Sequence, residues 1–178
     1  NSRNIPALRV LSEVGVEEML QRFERGGVSG VRYTPEAYGL ALAIGALPVT
    51  PSELATLYTA LAHQGVTLPL RTMLDAPKVD GQRVLSSDAA ALIAHILADP
   101  GARRPGFPVG SALDFDHAVS VKTGTSQGYR DAWAVAFDDR VLVVSWLGNH
   151  DWRRMNLASG ATAAAPAAHR ILDEVSER

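Results

Sequence analysis

Cysteine is absent from the 178 residues, which excludes disulfide bonds, thiolate catalysis and cysteine zinc sites. Lysine is almost absent too, since Lys78 and Lys122 are its two occurrences. The chain also lacks an excess of either charge: its formal net charge is -2, so its electrostatics do not indicate nucleic-acid binding. No apolar run approaches the roughly 20 residues that cross a bilayer. The remaining composition is typical of a globular chain that fills one domain or most of one.

The residues whose side chains could bind a ligand or take part in catalysis are concentrated in the stretch Val119–Asp151. Val119 and Val121 alternate with polar neighbours and lead into residues 122–126, Lys-Thr-Gly-Thr-Ser. This pattern predicts a strand that ends in an amine, several hydroxyls and a glycine. Such an array suits an extended anionic ligand, because the lysine supplies charge and the hydroxyls supply donors. The glycine removes a side chain where another backbone comes close.

The first half of the chain is predicted to be mainly helical. Asn4 is expected to cap a first helix that Gly15 ends, and Val16–Arg25 is expected to form the second. A further helical segment opens at Thr34 and reaches Ile44. Thr50, with proline next and glutamate three residues on, forms a capping box for the following helix.

Three less regular segments follow that helix. Residues 66–85 contain turn signals and predict a small hairpin. Ser86 and its neighbours cap a helix whose apolar face comprises Ala89, Leu92, Ile93, Ile96 and Leu97. Asp99–His117 contains three prolines and three glycines, so it is predicted to be a surface loop and a candidate wall of a cleft.

The last third of the chain predicts a three-stranded meander and a helix. The strands are expected at Val119–Thr123, Ala132–Phe137 and Val141–Leu147. The third is apolar on both faces and is therefore predicted to be central in its sheet. Ala161–Val175 is predicted to pack on that sheet as a helix. Its inward residues are expected to be Ala164, Ala168, Ile171, Leu172 and Val175.

A second short motif lies near the start of the sequence, where Ser2-Arg3-Asn4 reads serine-x-asparagine. Together with Lys-Thr-Gly and a serine-x-x-lysine, this motif makes up the signature of penicillin-binding proteins and class A β-lactamases. The chain resembles the transpeptidase domain of class A, bifunctional penicillin-binding proteins. The sequences of residues 128–133 and 148–151 are most similar to those of the penicillin-binding protein 1C branch. Further similar segments are residues 38–45, 50–55 and 160–166.

The resemblance implies an α/β fold of the penicillin-binding protein and β-lactamase type, in which helices flank an antiparallel sheet beside a helical subdomain. Residues 1–178 would form the C-terminal part of one transpeptidase domain, with residues 1–118 mostly helical and residues 119–178 holding the meander and last helix. The family's first strands and its nucleophile helix are expected upstream of these residues. The exposed edge of the third strand is then expected to promote self-association.

The resemblance also implies a serine acyl-transferase that acts on acyl-D-alanyl-D-alanine stem peptides of peptidoglycan and is the target of β-lactams. Ser2 would relay a proton, and Asn4 would hold the substrate amide and the motif lysine. Lys122 and two hydroxyls would bind the terminal carboxylate, and the Thr125 N–H would form half of an oxyanion hole. No cofactor and no metal are implied. The substrate-binding residues are expected to be Thr123, Gly124, Thr125 and Ser126.

The serine-x-x-lysine motif is missing, because the residues three positions before the two lysines are Asp75 and Val119. In the family this motif provides the acylated serine, so the chain by itself is expected to be inactive. The resemblance places the parent protein on the periplasmic side of a bacterial inner membrane, tethered by a segment outside these residues. A glycosyltransferase domain is expected upstream.

Other interpretations remain open at this stage. A serine-x-asparagine before a helix also serves as a simple cap, and a lysine on an edge strand also guards against aggregation. A D,D-carboxypeptidase or β-lactamase of the same fold would pass the acyl group to water. A non-catalytic domain of this fold would sense peptidoglycan or β-lactams. Trp133, Trp146 and His150 are predicted to be structural residues.

Overall fold

In the computed structural model, which describes residues 2–176, the chain divides into two compact units. The helical unit consists of residues 3–90, and the sheet unit consists of residue 2 and residues 91–176. This division falls inside a helix, Ser87–Ala98; the sequence predicts one domain whose mostly helical part extends to residue 118. The segment between that helix and the sheet therefore belongs to the sheet unit.

The helical unit contains the helices and the hairpin that the sequence predicts. Its capping-box helix is confirmed, since the Thr50 hydroxyl accepts a hydrogen bond from the Glu53 N–H. Gly15, at φ 91°, ends the first helix as expected. The elements are α1 (Asn4–Val14), α2 (Val16–Arg25), α3 (Pro35–Tyr38), a 3-10 helix (Gly39–Ile44), α4 (Pro51–Ala62), β1 (Val66–Thr67), β2 (Gln82–Arg83) and the start of α5 (Ser87–Ala98).

Two details of the helical unit differ from the prediction. Asn4 does not cap α1, because it is already helical; Arg3 occupies the cap position without a side-chain hydrogen bond. The segment after Thr34 is not one helix, since Gly39 at φ 51° leaves the α-helical region and the chain continues as a 3-10 helix. The unit still encloses its own core, formed by Leu11, Leu20, Val28, Tyr38, Leu42 and Leu47.

The sheet unit is built on a three-stranded antiparallel meander in the order β3-β4-β5. The pairing is in register from Ser120↔Phe137 to Thr125↔Ala132 and from Asp131↔Gly148 to Phe137↔Leu142. Its elements are the end of α5, α6 (Pro100–Arg103), β3 (Ser120–Thr125), β4 (Asp131–Phe137), β5 (Leu142–Gly148), a π-helical turn (Gly160–Ala164) and α7 (Ala165–Ser176).

The last helix covers one face of this sheet. Small alanines of β4 allow α7 to approach closely, and the resulting core includes Val121, Val143, Ala165, Ala168 and Leu172. Two predicted core residues, Ile171 and Val175, are instead exposed. The prediction assumed one continuous α-helix from residue 161. The π-helical turn has more residues per turn than an α-helix, so it rotates the residues that follow it around the helix axis.

The sequence predicts a third strand that is central in the complete family sheet and exposed at its outer edge in this chain, and the exposed edge is confirmed within residues 2–176. β4 pairs on both sides, whereas β5 pairs only with β4 and leaves its outer edge without a strand. An apolar pattern on both faces indicates that other elements cover the strand above and below; it does not indicate whether further strands pair with it on each side. Self-association through this edge stays a prediction.

The segment before β3 is more structured than the predicted surface loop. It contains α6, and Leu113 and Arg103 are buried. The Arg103 guanidinium donates hydrogen bonds to the carbonyls of Leu97 (2.5 Å) and Val119 (3.1 Å), which ties the end of α5 to the start of β3. The predicted apolar face of α5 is largely exposed, at Ala89, Leu92, Ile93 and Ile96. No helix within residues 2–176 is long and apolar enough to cross a membrane.

We predict that Glu53 stabilises the helical unit in a pH-dependent way. Its carboxylate accepts hydrogen bonds from Thr50 and from both the N–H and the hydroxyl of Ser29, which lowers its pKa from 4.5 to about 2. Because the folded pKa lies below the unfolded one, this stabilisation is present above pH 4.5 and is lost as the pH falls towards 2.

Glu53→Gln should therefore lower the free energy of unfolding by about 1–2 kcal/mol at pH 7, after allowance for solvent screening, and by much less near pH 2. Urea unfolding at the two pH values measures the difference. Glu13→Gln, an exposed position on α1, is the control. Equal losses at both pH values would contradict the assignment.

Candidate active site

The residues with predicted chemical roles lie on β3, which is an edge strand. β3 pairs only with β4, so its outer edge has no strand partner within residues 2–176. Side chains alternate along the strand, which places Lys122 and Gly124 on one face and Thr123 and Thr125 on the other. Lys122 lies beside Val135 of β4 on this face. The outer edge of β3, which has no strand partner within residues 2–176, is open to an extended ligand.

Lys122 is held between a side chain and the backbone. Its Nζ donates hydrogen bonds to the Ser2 hydroxyl at 2.9 Å and to the Thr123 carbonyl at 2.5 Å. Among the residues described, no carboxylate lies within 4.0 Å of this ammonium. The site therefore holds a positive charge that its own side chains do not neutralise.

Burial also changes the acidity of this lysine. Removal of water from around the ammonium lowers the pKa of Lys122 below its ordinary value of 10.5. Because the unfolded chain keeps the proton to higher pH, the free energy of unfolding rises as the pH increases from the folded pKa to 10.5. A charged lysine with this environment costs stability at neutral pH, which is typical of a group retained for function.

Thr125 forms the link between β3 and the start of the last helix. Its Oγ1 accepts a hydrogen bond from the Gly160 N–H at 3.0 Å. With that acceptor position used, the hydroxyl proton is free to point away from Gly160. A Cβ on Gly160 would lie 2.4 Å from the carbonyl oxygens of both Gly124 and Trp133, so only glycine fits there. Gly124, by contrast, has ordinary space for a Cβ beside Trp133.

Ser126 shapes the turn that follows β3. Its N–H donates to the Asp131 carbonyl at 3.0 Å, and its hydroxyl accepts a hydrogen bond from the Asp131 N–H at 2.8 Å. The Asp131 carboxylate in turn accepts a hydrogen bond from the Trp146 indole at 3.0 Å. The serine side chain thus closes the β3–β4 hairpin, a role that the sequence analysis did not assign to it.

Asn4, the remaining predicted site residue, is the first residue of α1 in the helical unit and is exposed. Its side chain makes no hydrogen bond within the described part of the chain. Trp133 and Trp146 lie side by side on the sheet with ring centroids 6.1 Å apart, and His150 lies 5.5 Å from Trp146. Residues 2–176 contain no group of three or more side chains that would hold a metal ion.

The structure thus brings Ser2 into contact with Lys122 and places both threonine hydroxyls on the adjoining strand positions. Two participants were not predicted. The Thr123 carbonyl is a backbone acceptor that no sequence pattern reveals. Gly160 supports Thr125, and its signal in the sequence is the reciprocal cap formed by Ser159 and Thr162 around it. The arrangement provides a cation, a hydroxyl in contact with it and an open strand edge, which together suit an extended peptide with a carboxylate.

We predict unequal structural roles for the two strand threonines. Thr125→Val removes the acceptor of the N–H of Gly160, a buried residue, and should lower the free energy of unfolding by about 1–2 kcal/mol. Thr123→Val, a matched change two residues away, removes a hydroxyl with no hydrogen bond in the described structure and should cost less than about 0.5 kcal/mol. Thermal or urea unfolding tests the pair, and equal losses would contradict the role given to Gly160.

We also predict that Lys122 titrates below pH 10.5 in the folded chain. The two lysines give two ¹³Cε resonances, and Lys122→Arg identifies one by its disappearance. The midpoint of that resonance should rise when the chain is unfolded in urea, because water returns to the ammonium. An identical midpoint in the folded and unfolded chain would show that the lysine is not desolvated.

Comparison with known proteins identifies the family of the chain. The family model described as the penicillin-binding protein transpeptidase domain matches residues 1–173. Penicillin-binding protein 1C of Escherichia coli is 31% identical over 96% of this chain and 21% of its own length. Penicillin-binding protein 1B of Vibrio cholerae is 25% identical over 90% of the chain and 22% of its own length. The chain thus spans about a fifth of the length of these relatives.

Solved structures show the same fold. Penicillin-binding protein 1A from Haemophilus influenzae superposes with a TM-score of 0.76 at 22% identity, covering 100% of this chain and 33% of that one. A peptidoglycan glycosyltransferase from Burkholderia ambifaria gives a TM-score of 0.68 at 19% identity, and the match covers 97% of this chain and 61% of that one. The helices and antiparallel sheet described above are therefore those of the α/β transpeptidase fold, and this chain belongs to the penicillin-binding protein transpeptidase domain family.

Proposed function

We propose that this chain supplies the carboxylate-binding and proton-relay part of a serine D,D-transpeptidase that cross-links peptidoglycan. The observation that carries the proposal is the 2.9 Å hydrogen bond from Lys122 Nζ to Ser2 Oγ. This bond joins the serine-x-asparagine and Lys-Thr-Gly motifs, which lie 120 residues apart in the sequence. A chance pair of short motifs has no reason to meet at an unneutralised cation on an open strand edge.

Lys122 and the threonine hydroxyls lie on opposite faces of β3, so in this proposal the substrate carboxylate lies at the open edge of the strand, where groups from both faces reach it. Lys122 provides positive potential without a competing carboxylate in the described structure. Thr125 accepts its hydrogen bond from Gly160, so its own O–H is available to donate to an anion, and Thr123 lies on the same face of the strand. A terminal carboxylate bound here receives charge-assisted hydrogen bonds, which are the stronger kind.

The backbone of β3 holds the rest of the peptide. An extended stem peptide adds to the free edge as a further strand, and the backbone hydrogen bonds fix its register. The Thr125 N–H is the donor that we assign to one half of the oxyanion hole, where such a donor contributes about 3–4 kcal/mol to stabilisation of the transition state. Asn4 is assigned to the substrate amide.

Ser2 is assigned the proton relay. Its oxygen accepts a hydrogen bond from Lys122, so its own proton points elsewhere and is placed to pass to the leaving amine of D-alanine. The nucleophilic serine belongs to a serine-x-x-lysine motif outside these 178 residues. Its oxygen forms an ester with the acyl carbon as the C–N bond breaks, and its proton replaces the one that Ser2 gives to the leaving amine. An acceptor amine then attacks that ester, and the serine recovers its proton.

The proposal extends to the longer protein of which the chain would be a part. The relatives named penicillin-binding proteins 1C and 1B are about five times longer than the matched segment. We place the full protein on the periplasmic side of the inner membrane, anchored outside this segment, with a glycosyltransferase domain upstream. A penicillin presents a carboxylate beside a reactive amide and thus fits the contacts proposed for the stem peptide.

The test compares the full-length gene product with the 178-residue chain, using a fluorescent penicillin. The full-length protein should become covalently labelled, and the shorter chain should not, because it has no serine-x-x-lysine motif. Lys122→Ala in the full-length protein should slow labelling by about a hundredfold, the order seen when a preorganised electrostatic contact is removed. Lys78→Ala, which removes the other lysine, should change the rate less than twofold.

The alternatives give different results in the same assay. Labelling of the 178-residue chain would show that its nucleophile lies within it and overturn the assignment of the serine to an upstream motif. A full-length protein that binds penicillin reversibly but never forms an adduct would be a sensing domain. Rapid release of the label into water, without transfer to an amine, would identify a carboxypeptidase or a β-lactamase.

A further inference from the structure

The N–H of Thr125 points to the open edge of β3. The Ser126 N–H donates to the Asp131 carbonyl at 3.0 Å, so these two residues form a hydrogen-bonded pair between the strands. Hydrogen-bonded and non-hydrogen-bonded pairs alternate along antiparallel strands, and the next pair contains Thr125. Its N–H and carbonyl therefore point away from β4. Thr123, two residues earlier, has the same orientation, and its carbonyl accepts the hydrogen bond from Lys122.

The turn beyond Thr125 is closed by a side chain in place of a backbone acceptor. The Ser126 carbonyl accepts a hydrogen bond from the Tyr129 N–H at 3.1 Å, inside the turn. The Asp131 N–H, which a regular ladder would pair with that carbonyl, donates instead to the Ser126 hydroxyl at 2.8 Å. Both backbone polar groups of Asp131 are thus bound to Ser126. The position of Asp131 therefore sets the position of the residue that follows Thr125.

The side chain of Asp131 anchors this hairpin to β5. Its Oδ1 accepts a hydrogen bond from Trp146 Nε1 at 3.0 Å. In the ladder between β4 and β5, Asp131 pairs with Gly148, whereas Trp146 pairs with Trp133. The indole therefore leans along β5 by two residues to reach the carboxylate.

Gly148 provides the space for this contact. A Cβ on residue 148 would lie 2.6 Å from Cζ2 and 2.9 Å from Cε2 of Trp146. The indole thus lies directly over the glycine, and an alanine there would push the ring away from Asp131. Because the acceptor is a carboxylate, the hydrogen bond that the glycine permits belongs to the stronger, charge-assisted kind.

The anchor acts at the end of β3 and not along its length. β3 and β4 already pair from Ser120 to Thr125, so the ladder itself needs no further support from β5. Strand ends open more easily than strand centres, and the Thr125 N–H lies at such an end. A donor of an oxyanion hole stabilises the transition state only if it is held in place before the charge develops.

We propose that Asp131 is a positioning residue for acyl transfer. Bound to Trp146 through its carboxylate and to Ser126 through its backbone, it holds the Thr125 N–H in the direction of the developing oxyanion. This inference rests on the proposed function, in which Thr125 supplies one half of the oxyanion hole. Asp131 acts through Thr125 and makes no contact with the reacting atoms.

Acylation of the full-length gene product by a fluorescent penicillin tests the proposal. Measuring the rate against penicillin concentration separates the constant for reversible binding from the acylation rate constant. Asp131→Ala should lower the acylation rate constant about tenfold, because a misplaced donor loses part of its effect, and should leave reversible binding within twofold. Asp131→Asn keeps an oxygen that accepts the indole hydrogen bond, so it should restore the rate constant to within about threefold of the unaltered protein.

Trp146→Phe and Gly148→Ala break the same contact from the other side. Each should lower the acylation rate constant about tenfold, the first by removing the donor and the second by displacing the ring. Combining Trp146→Phe with Asp131→Ala should cost no more than either change alone, since both remove one bond. If Asp131→Ala does not fold, Trp146→Phe carries the same test. Asp139→Ala, at an exposed aspartate of the turn after β4, is the matched control and should change neither constant more than twofold.

The outcomes separate the two proposals. Unchanged acylation in Asp131→Ala and Trp146→Phe overturns the positioning role and leaves the proposed function standing. Equal losses in Asp131→Asn and Asp131→Ala would assign the effect to charge and not to the hydrogen bond, which also overturns it. A loss of reversible binding that follows a loss of thermal stability assigns these residues a purely structural role and overturns it as well. An unaltered full-length protein that is never acylated overturns the proposed function and this inference with it.

Discussion

The close approach of Gly160 to the sheet is the contact on which the arrangement of the sheet unit depends. The carbonyls of Gly124 and Trp133 belong to two adjacent strands, and both lie where a Cβ of residue 160 would be. The same residue donates its N–H to Thr125 and begins the π-helical turn that sets the rotation of α7. One glycine thus fixes the helix that covers the sheet, the acceptor position of the Thr125 hydroxyl and the end of the loop that follows β5.

β3 combines two properties that are usually kept apart. An edge strand exposes backbone donors and acceptors, which favours aggregation unless it is protected. Here the unprotected edge is also the place where a peptide is proposed to bind, so the exposure has a use. In the proposed function Lys122 serves both purposes, since a charge on an edge strand opposes pairing with a second copy of the chain and attracts an anionic ligand.

Much of the fold was predictable because it depends on local signals. The capping box at Thr50, the glycine at position 15 and the alternation in β3 and β4 each determine structure over a few residues, and all were confirmed. One error concerns the last helix, where the exposure of Ile171 does not follow from periodicity because a π-helical turn rotates the residues that follow it.

The site was predictable in its residue types and less so in its contacts. The short motifs identified Ser2 and Lys122, and the resemblance to a known family predicted that both residues belong to one site. The supporting contacts were not visible, since the Thr123 carbonyl and the Gly160 N–H are backbone groups that every sequence contains. Ser126 illustrates the converse, because a residue inside a motif was given a ligand role while its hydroxyl also holds a turn.

Residue 2 belongs to the sheet unit although residues 3–90 form a unit of their own, so the Lys122–Ser2 bond closes a long loop of chain. The entropy of closing such a loop grows only with the logarithm of its length, and doubling the length costs about 0.6 kcal/mol. Insertions and deletions in exposed turns of the helical unit therefore change the free energy of forming the site very little. The contact between the two motifs therefore does not fix the length of the exposed turns of the helical unit.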